Sequence, residues 1–273
     1  MPGHEFLANI KPANVIYVYD GSFPGFLCCV HESVYAAELP FDILPDTEDV
    51  PLTLVDIKYI TTDNEKAERV HASIPAKISK RAAELTRTVF LSCLKQKELC
   101  LLEFLLRAYR ESGAMINNFG DATMSPLLKA EKHLLGEAHL LKGFVRFADV
   151  GGGLVATITP KNYVLPFIAR HFTSRFRDED FMIFDKTHHA ALVHQRSPRR
   201  IGDALGQGNG KGEIIRIDSV EFPEVSEQEI KYQTLWKQFY DTVAIESREN
   251  PRCRMTHMPK RYWENMLEVK DLL

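Results

Sequence analysis

Apolar residues first gather at Val15–Tyr19, a continuous run that Asp20–Gly21 breaks and that apolar positions at helical spacing follow from Phe23. Ser22 stands where an N-cap belongs. Pro24 suits a first helical turn, where its missing N–H has no intrahelical partner. The chain therefore opens as strand, turn and helix. Residues 40–52, rich in Pro and Asp, read as a loop, and "LTLVDIKYI" alternates as a strand. A capping box, Thr62-x-x-Glu65, then opens a helical region from about 63 to 143. Breaks are expected near Pro75 and near "NNFGDATMSP", where Ser125–Pro126 restarts a helix.

After residue 143 the apolar period shortens. "FVRFADVGGGLVATITP" is two strand-like runs around three glycines, "NYVLPFIARHFTSRF" has helical spacing, and "DFMIFDKTHHAALVHQ" is a second hairpin. "EIIRIDSVEF" predicts another strand, and the capping box Ser226-x-x-Glu229 opens a helix to about Ile245. Strand–strand–helix–strand–strand suits an antiparallel sheet with a helix on one face. The fold class expected is α+β, a mixed or antiparallel sheet with flanking helices and a helix-rich middle. No internal repeat and no clean linker appears, so residues 1–273 read as a single domain.

Composition changes this picture little. Hydrophobic residues make up 45% and charged residues 26% of the 273, ordinary for a soluble globular chain. The longest apolar stretch, around "GFLCCV", is too short to span a bilayer, and the N-terminus lacks signal-peptide order. Five cysteines without C-x-x-C spacing fit a reduced, cytoplasmic chain without a zinc knuckle. Charge matters more. The net charge of −3 argues against a strongly basic binder, yet residues 140–216 hold twelve Lys/Arg against seven Asp/Glu. That local excess suits a surface facing phosphates, or equally a solvated face with a few ion pairs.

Candidate chemistry gathers in "HLLGEAHLLKGFVRF". His133 and Glu137 are four apart and share a helix face, whereas His139 lies about 200° beyond Glu137 and points away. One straight helix cannot bring all three to one ion; a two-ligand start from His133 and Glu137 would need further ligands from elsewhere, so no metal and no cofactor is assigned. An acid–base or metal role for His133, Glu137, His139 or His171 stays open beside a plain polar reading. Gly143 is placed to end the helix in a left-handed conformation, letting "FVRF" begin a strand. This arrangement predicts that His139, Lys142, Arg146 and the His171/Arg175 stripe line one concave surface for a phosphate or carboxylate. The alternative is that Arg146 pairs with a nearby acid and His139 sits in packing. Arg199 and Arg200 extend the phosphate-facing set into a glycine-rich segment. That segment is no P-loop, since Leu205 stands where glycine is required and Gly212 follows Lys211. Tyr232, Trp236, Phe239, Tyr240 and Val243 form an aromatic stripe expected in the core. "RENPRCRMTHMPKRYWENM" interleaves basic and aromatic residues that could meet single strands, with Trp263 alternatively an anchor.

"YVYDGSFPGFLCCVHES", "EAHLLKGFVRF", "ITPKNYVLPFIARHFTSRF", "FMIFD" and "YQTLWKQFYDTVAIESRENPRCRMTHMPKRYW" together resemble the bacterial family called "probable DNA metabolism protein", domain of unknown function 4130. The resemblance runs from about residue 15 to 265. It implies a link to DNA repair or modification, because relatives are typically encoded beside a radical-SAM protein or fused to a uracil-DNA-glycosylase-like domain. The family has no established reaction, so the resemblance assigns no catalytic residue. Leu140 and His188–His189 stand where the resemblance implies arginine, and each departure removes a fixed positive charge. The expected function is that of a nucleic-acid-facing partner of a radical-SAM DNA repair or modification enzyme, with weak DNA contact and no membrane. An enzyme in its own right and a protein-interaction scaffold are the alternatives.

Overall fold

The structure, a computed structural model, describes residues 10–47, 54–111, 116, 118, 120–196, 211–220, 225–245, 247 and 250–270. The chain forms two compact units, Met1–Leu134 and Leu135–Leu273. In the first, β1 (Lys11–Pro12) pairs in parallel with β3 (Glu38–Leu39). The main sheet is three-stranded and parallel, in the order β4 (Asp42–Pro45), β2 (Val15–Tyr19), β5 (Asp56–Tyr59). The central position of β2 explains its unbroken apolar run, since a strand flanked on both edges and covered on both faces has little polar surface. α1 (Phe23–Ala36) follows the turn as expected: the Ser22 Oγ accepts from the Gly25 N–H, and Pro24 occupies the first turn.

Two local expectations change. Residues 42–45 form a strand, not loop, because β2 offers them a parallel ladder that no local sequence signal announces. The helix after β5 is capped by Asp63, whose carboxylate accepts from the Glu65 and Lys66 N–H groups, while the Thr62 hydroxyl donates to Asp20. Helices then dominate as expected: α2 (Asn64–Lys77), α3 (Lys80–Phe90), α4 (Lys97–Arg110) and α5 (Met124–Phe144). Pro75 sits inside α2, which ends two residues later. Asp121, rather than Ser125, accepts the free N–H groups of Thr123 and Met124 at the start of α5. The core of this unit joins Tyr17 and Phe26 to Leu85, Phe104 and Leu105.

The second unit holds a five-stranded mixed sheet, β10–β9–β8–β7–β6. β6 (Ala148–Val150) and β7 (Gly153–Ile158) form an antiparallel hairpin. Its two-residue turn, Gly151–Gly152, has positive φ at both positions, 65° and 89°, a backbone that glycine adopts without Cβ strain. α6 (Leu165–Arg175) then crosses over, so β8 (Phe181–Asp185) runs parallel to β7, where an antiparallel sheet seemed equally suited. β9 (Ala190–Gln195) and β10 (Lys211–Arg216) complete it in antiparallel fashion. Gly143 lies inside α5 and not at a left-handed cap, and the strand begins at Ala148 rather than at "FVRF". Residues on one sheet face, including Ile183 and Leu192, pack with Ile168 and Phe172 of α6.

Beyond the sheet come α7 (Glu227–Val243), α8 (Pro251–His257) and a 3₁₀ helix, Lys260–Asn265. The Ser226 Oγ accepts from the Glu229 N–H as one half of the expected capping box. The α7 aromatic stripe was expected in the core, and the structure overturns this: no residue of α7 is buried. Trp263, by contrast, is buried and donates its indole N–H to the Met258 carbonyl at 2.9 Å.

Candidate functional site

Glu137 is the residue around which the second unit is tied. It lies on α5 with its side chain only 1% exposed. Two of its donors come from the segment between β7 and α6, the backbone N–H groups of Lys161 (3.1 Å) and Asn162 (2.8 Å), and the Asn162 side-chain amide adds a third at 2.6 Å. The 3₁₀ helix supplies the Arg261 Nη2 at 2.9 Å and the Tyr262 hydroxyl at 3.0 Å. Burial works to raise the Glu137 pKa, but the N–H groups of Asn162 and Lys161, the Asn162 amide and the Arg261 charge outweigh it, and the net shift is downward. Burial also pushes the Tyr262 hydroxyl up to about 12, which keeps it a donor. Five donors occupy both carboxylate oxygens. A carboxylate held this way is a poor proton acceptor, so its chemistry is structural: it joins three chain segments at one buried point.

Arg146 makes a second junction. Its Nε and Nη2 donate to Glu268 at 2.5–3.3 Å, and its Nη1 donates to the Gly143 carbonyl at 2.7 Å, one of the free carbonyls at the end of α5. Glu268 is 3% exposed on its side chain, and Trp236 of α7 donates to it at 3.4 Å. Burial raises the Glu268 pKa, and the Arg146 hydrogen bonds reverse that to a net lowering. The Arg146 guanidinium is thus occupied on the protein's own groups.

The remaining expected residues divide by position. His133 and Glu137 share a helix sector, but His133 is exposed while Glu137 is buried. His139 and Lys142 are exposed on α5. On α6, His171 is half-buried and Arg175 is exposed, its guanidinium 5.8 Å from the Phe176 ring. Partial burial, then the charges of Lys142 and Arg175, hold His171 below its ordinary pKa. Lys142 and Arg175 are thus both close enough to His171 to act on it as positive charges. Arg199 and Arg200 lie outside the described residues, as do residues 202–210 of the glycine-rich segment. Among the described residues no group of three or more His, Cys, Asp and Glu is placed to hold a metal ion.

Asn162, Arg261, Tyr262 and Glu268 were not anticipated. Each is an ordinary polar residue in its own stretch, and its partner stands 25 to 125 residues away. Asp185 is another: fully buried, it accepts the N–H groups of Thr187 and His188 and meets the His188 Nδ1 at 2.7 Å. The stretches "EAH", "TPKNY" and "PKRYW", which carried the resemblance, are the ones that converge on Glu137.

Residues 95–268, more than half of the chain, match the family described as a domain of unknown function, DUF4130. No curated protein and no solved structure matches the chain. Among the described residues no helix is long and apolar enough to cross a membrane.

Proposed function

The chain belongs to the DUF4130 family, and from that premise we propose that it acts in DNA metabolism as a nucleic-acid-facing partner of a radical-SAM repair or modification enzyme, in the cytoplasm. The observation that carries the nucleic-acid reading is the pair of exposed cations Lys142 and Arg175, both near enough to the half-buried His171 to add to the effect of its burial in lowering its pKa. Phosphate is the ligand that such a pair attracts, by charge and without sequence preference. The DNA-metabolism and radical-SAM parts of the reading rest on the family resemblance alone. The same geometry weakens the rival reading of an enzyme using Glu137 as a general base, since all of that carboxylate's acceptor capacity is taken.

The test is fluorescence anisotropy with labelled single- and double-stranded oligonucleotides across a salt series. Binding should be weak, tolerant of sequence and steeply salt-dependent. The Lys142→Ala/Arg175→Ala double variant should flatten the log–log salt slope by about 1–2. Absence of binding at low salt, with and without a radical-SAM partner present, would sink the proposal.

A further inference from the structure

Helix α7 packs the wrong way round for an amphipathic helix that is complete in one chain. Glu229, Gln233, Lys237 and Tyr240, mostly polar, are its half-buried positions. Its apolar stripe faces outward: Tyr232 is 59% exposed, Leu235 59%, Trp236 42%, Phe239 56% and Val243 56%. Tyr232, Leu235, Trp236 and Phe239 of the stripe line an open groove of about 710 Å³, with Arg146, Phe147 and Leu267 among its other lining residues. Most helical stability in proteins comes from packing an apolar face, so a helix with none of its residues buried lacks its usual support.

We propose that this face is a self-association surface, closed by α7 of a second copy of this chain in antiparallel pairing. Spacing is the first reason. Tyr232, Trp236, Phe239 and Val243 are separated by four, three and four residues, the interval of a knobs-into-holes seam. Antiparallel pairing sets Tyr232 against Val243 of the second copy and Trp236 against its Phe239, large beside small at the ends and ring beside ring in the middle. Charge is the second. Identical helices pair only where like charges do not meet, and the positions flanking the seam, Gln228, Gln233, Leu235, Tyr240 and Thr242, are all neutral. Area is the third. An aromatic side chain presents about 150–250 Å², so the exposed fractions give roughly 500 Å² per copy and roughly 1,000 Å² in the pair, at the lower bound of a specific interface.

Nucleic acid is the poorer occupant. Among the residues walling the groove Arg146 is the cation, and Glu268 neutralises it, while the Glu229 carboxylate faces the same space. Helix α7 holds three acidic residues against two lysines. Phosphates find no net attraction there, whereas a neutral apolar seam does not oppose its own copy.

Sedimentation equilibrium of the full chain tests this, together with tryptophan emission at the same concentrations. A reversible dimer should grow over roughly 1–100 µM, as an interface near the lower size limit allows. Trp236 emission should shift to the blue in step with it, because Trp263 is already buried. Phe239→Glu would place a charge in the seam and should weaken the dimer about tenfold or more. The milder Tyr232→Ser should weaken it less, which keeps the test intact should the glutamate disturb folding. A chain that stays monomeric throughout overturns the proposal. So does a dimer that forms with unchanged Trp236 emission, or one that neither variant weakens. Quenching of Trp236 by an oligonucleotide without any dimer would assign the face to nucleic acid and overturn it as well.

Discussion

At the scale of single residues, burial decides whether a polar side chain works as chemistry or as structure. Glu137 could be read as half of a metal or acid–base pair with His133, but five donors around a side chain 1% exposed make it a fastening point. Removing one partner of a buried, hydrogen-bonded charge pair leaves the other uncompensated. Glu137→Gln keeps the shape but turns one acceptor into a donor that faces other donors. It should lower unfolding stability by about 3 kcal/mol, read from urea denaturation. His133→Gln, at an exposed position of the same helix, should change stability by less than about 0.5 kcal/mol. Equal effects for the two variants would show that Glu137 is not the fastening point.

At the scale of elements, β2 and α1 meet through a close approach that only glycine permits. A Cβ at Gly25 would lie 2.2 Å from the Asp20 Oδ1, 2.8 Å from the Thr62 Oγ1 and 2.9 Å from the Tyr19 ring. Asp20 cannot simply swing aside, since it accepts from the Ser22 N–H and hydroxyl within the turn after β2 and from the Thr62 hydroxyl in the segment that follows β5. Gly25→Ala should therefore cost about 1–3 kcal/mol through overpacking. Gly136, on α5 with open space around it, is the contrasting case. Gly136→Ala should stabilise by about 0.5–1 kcal/mol, because alanine loses less backbone freedom in a helix. Thermal melts that ranked the two variants in the opposite order would refute the close approach.

At the scale of the whole molecule, the buried carboxylates set the response to acid. Glu137 and Glu268 both titrate below the ordinary glutamate range in the folded chain, because hydrogen bonds and arginine charge exceed the effect of burial. A folded-state pKa below the unfolded one gives stability that is complete above the unfolded value, near 4.3. That stability disappears as pH falls through the lower, folded value. Unfolding free energy should thus hold steady from neutrality to about pH 5 and drop below about pH 4. In Glu137→Gln the acid-induced drop should be smaller. A wild-type curve still flat at pH 3 would contradict the lowered values.

What the sequence determined by itself is short in range. The run Val15–Tyr19, the Ser22 cap, the Gly151–Gly152 turn and the helical spacing of residues 165–175 each fix a local conformation through contacts a few residues apart, and each appears where the pattern puts it. Tertiary structure decided the rest. Strand β4 exists because β2 lies beside it, and Asp63 displaced Thr62 as a cap once Thr62 could bond Asp20. The Glu137 and Arg146 junctions draw on Arg261, Tyr262 and Glu268, up to 125 residues distant. The α7 stripe had the spacing of a core helix, and only the packing of the folded chain shows which of its faces was left open. Periodicity reports that a face is apolar; what covers that face depends on the placement of every other element.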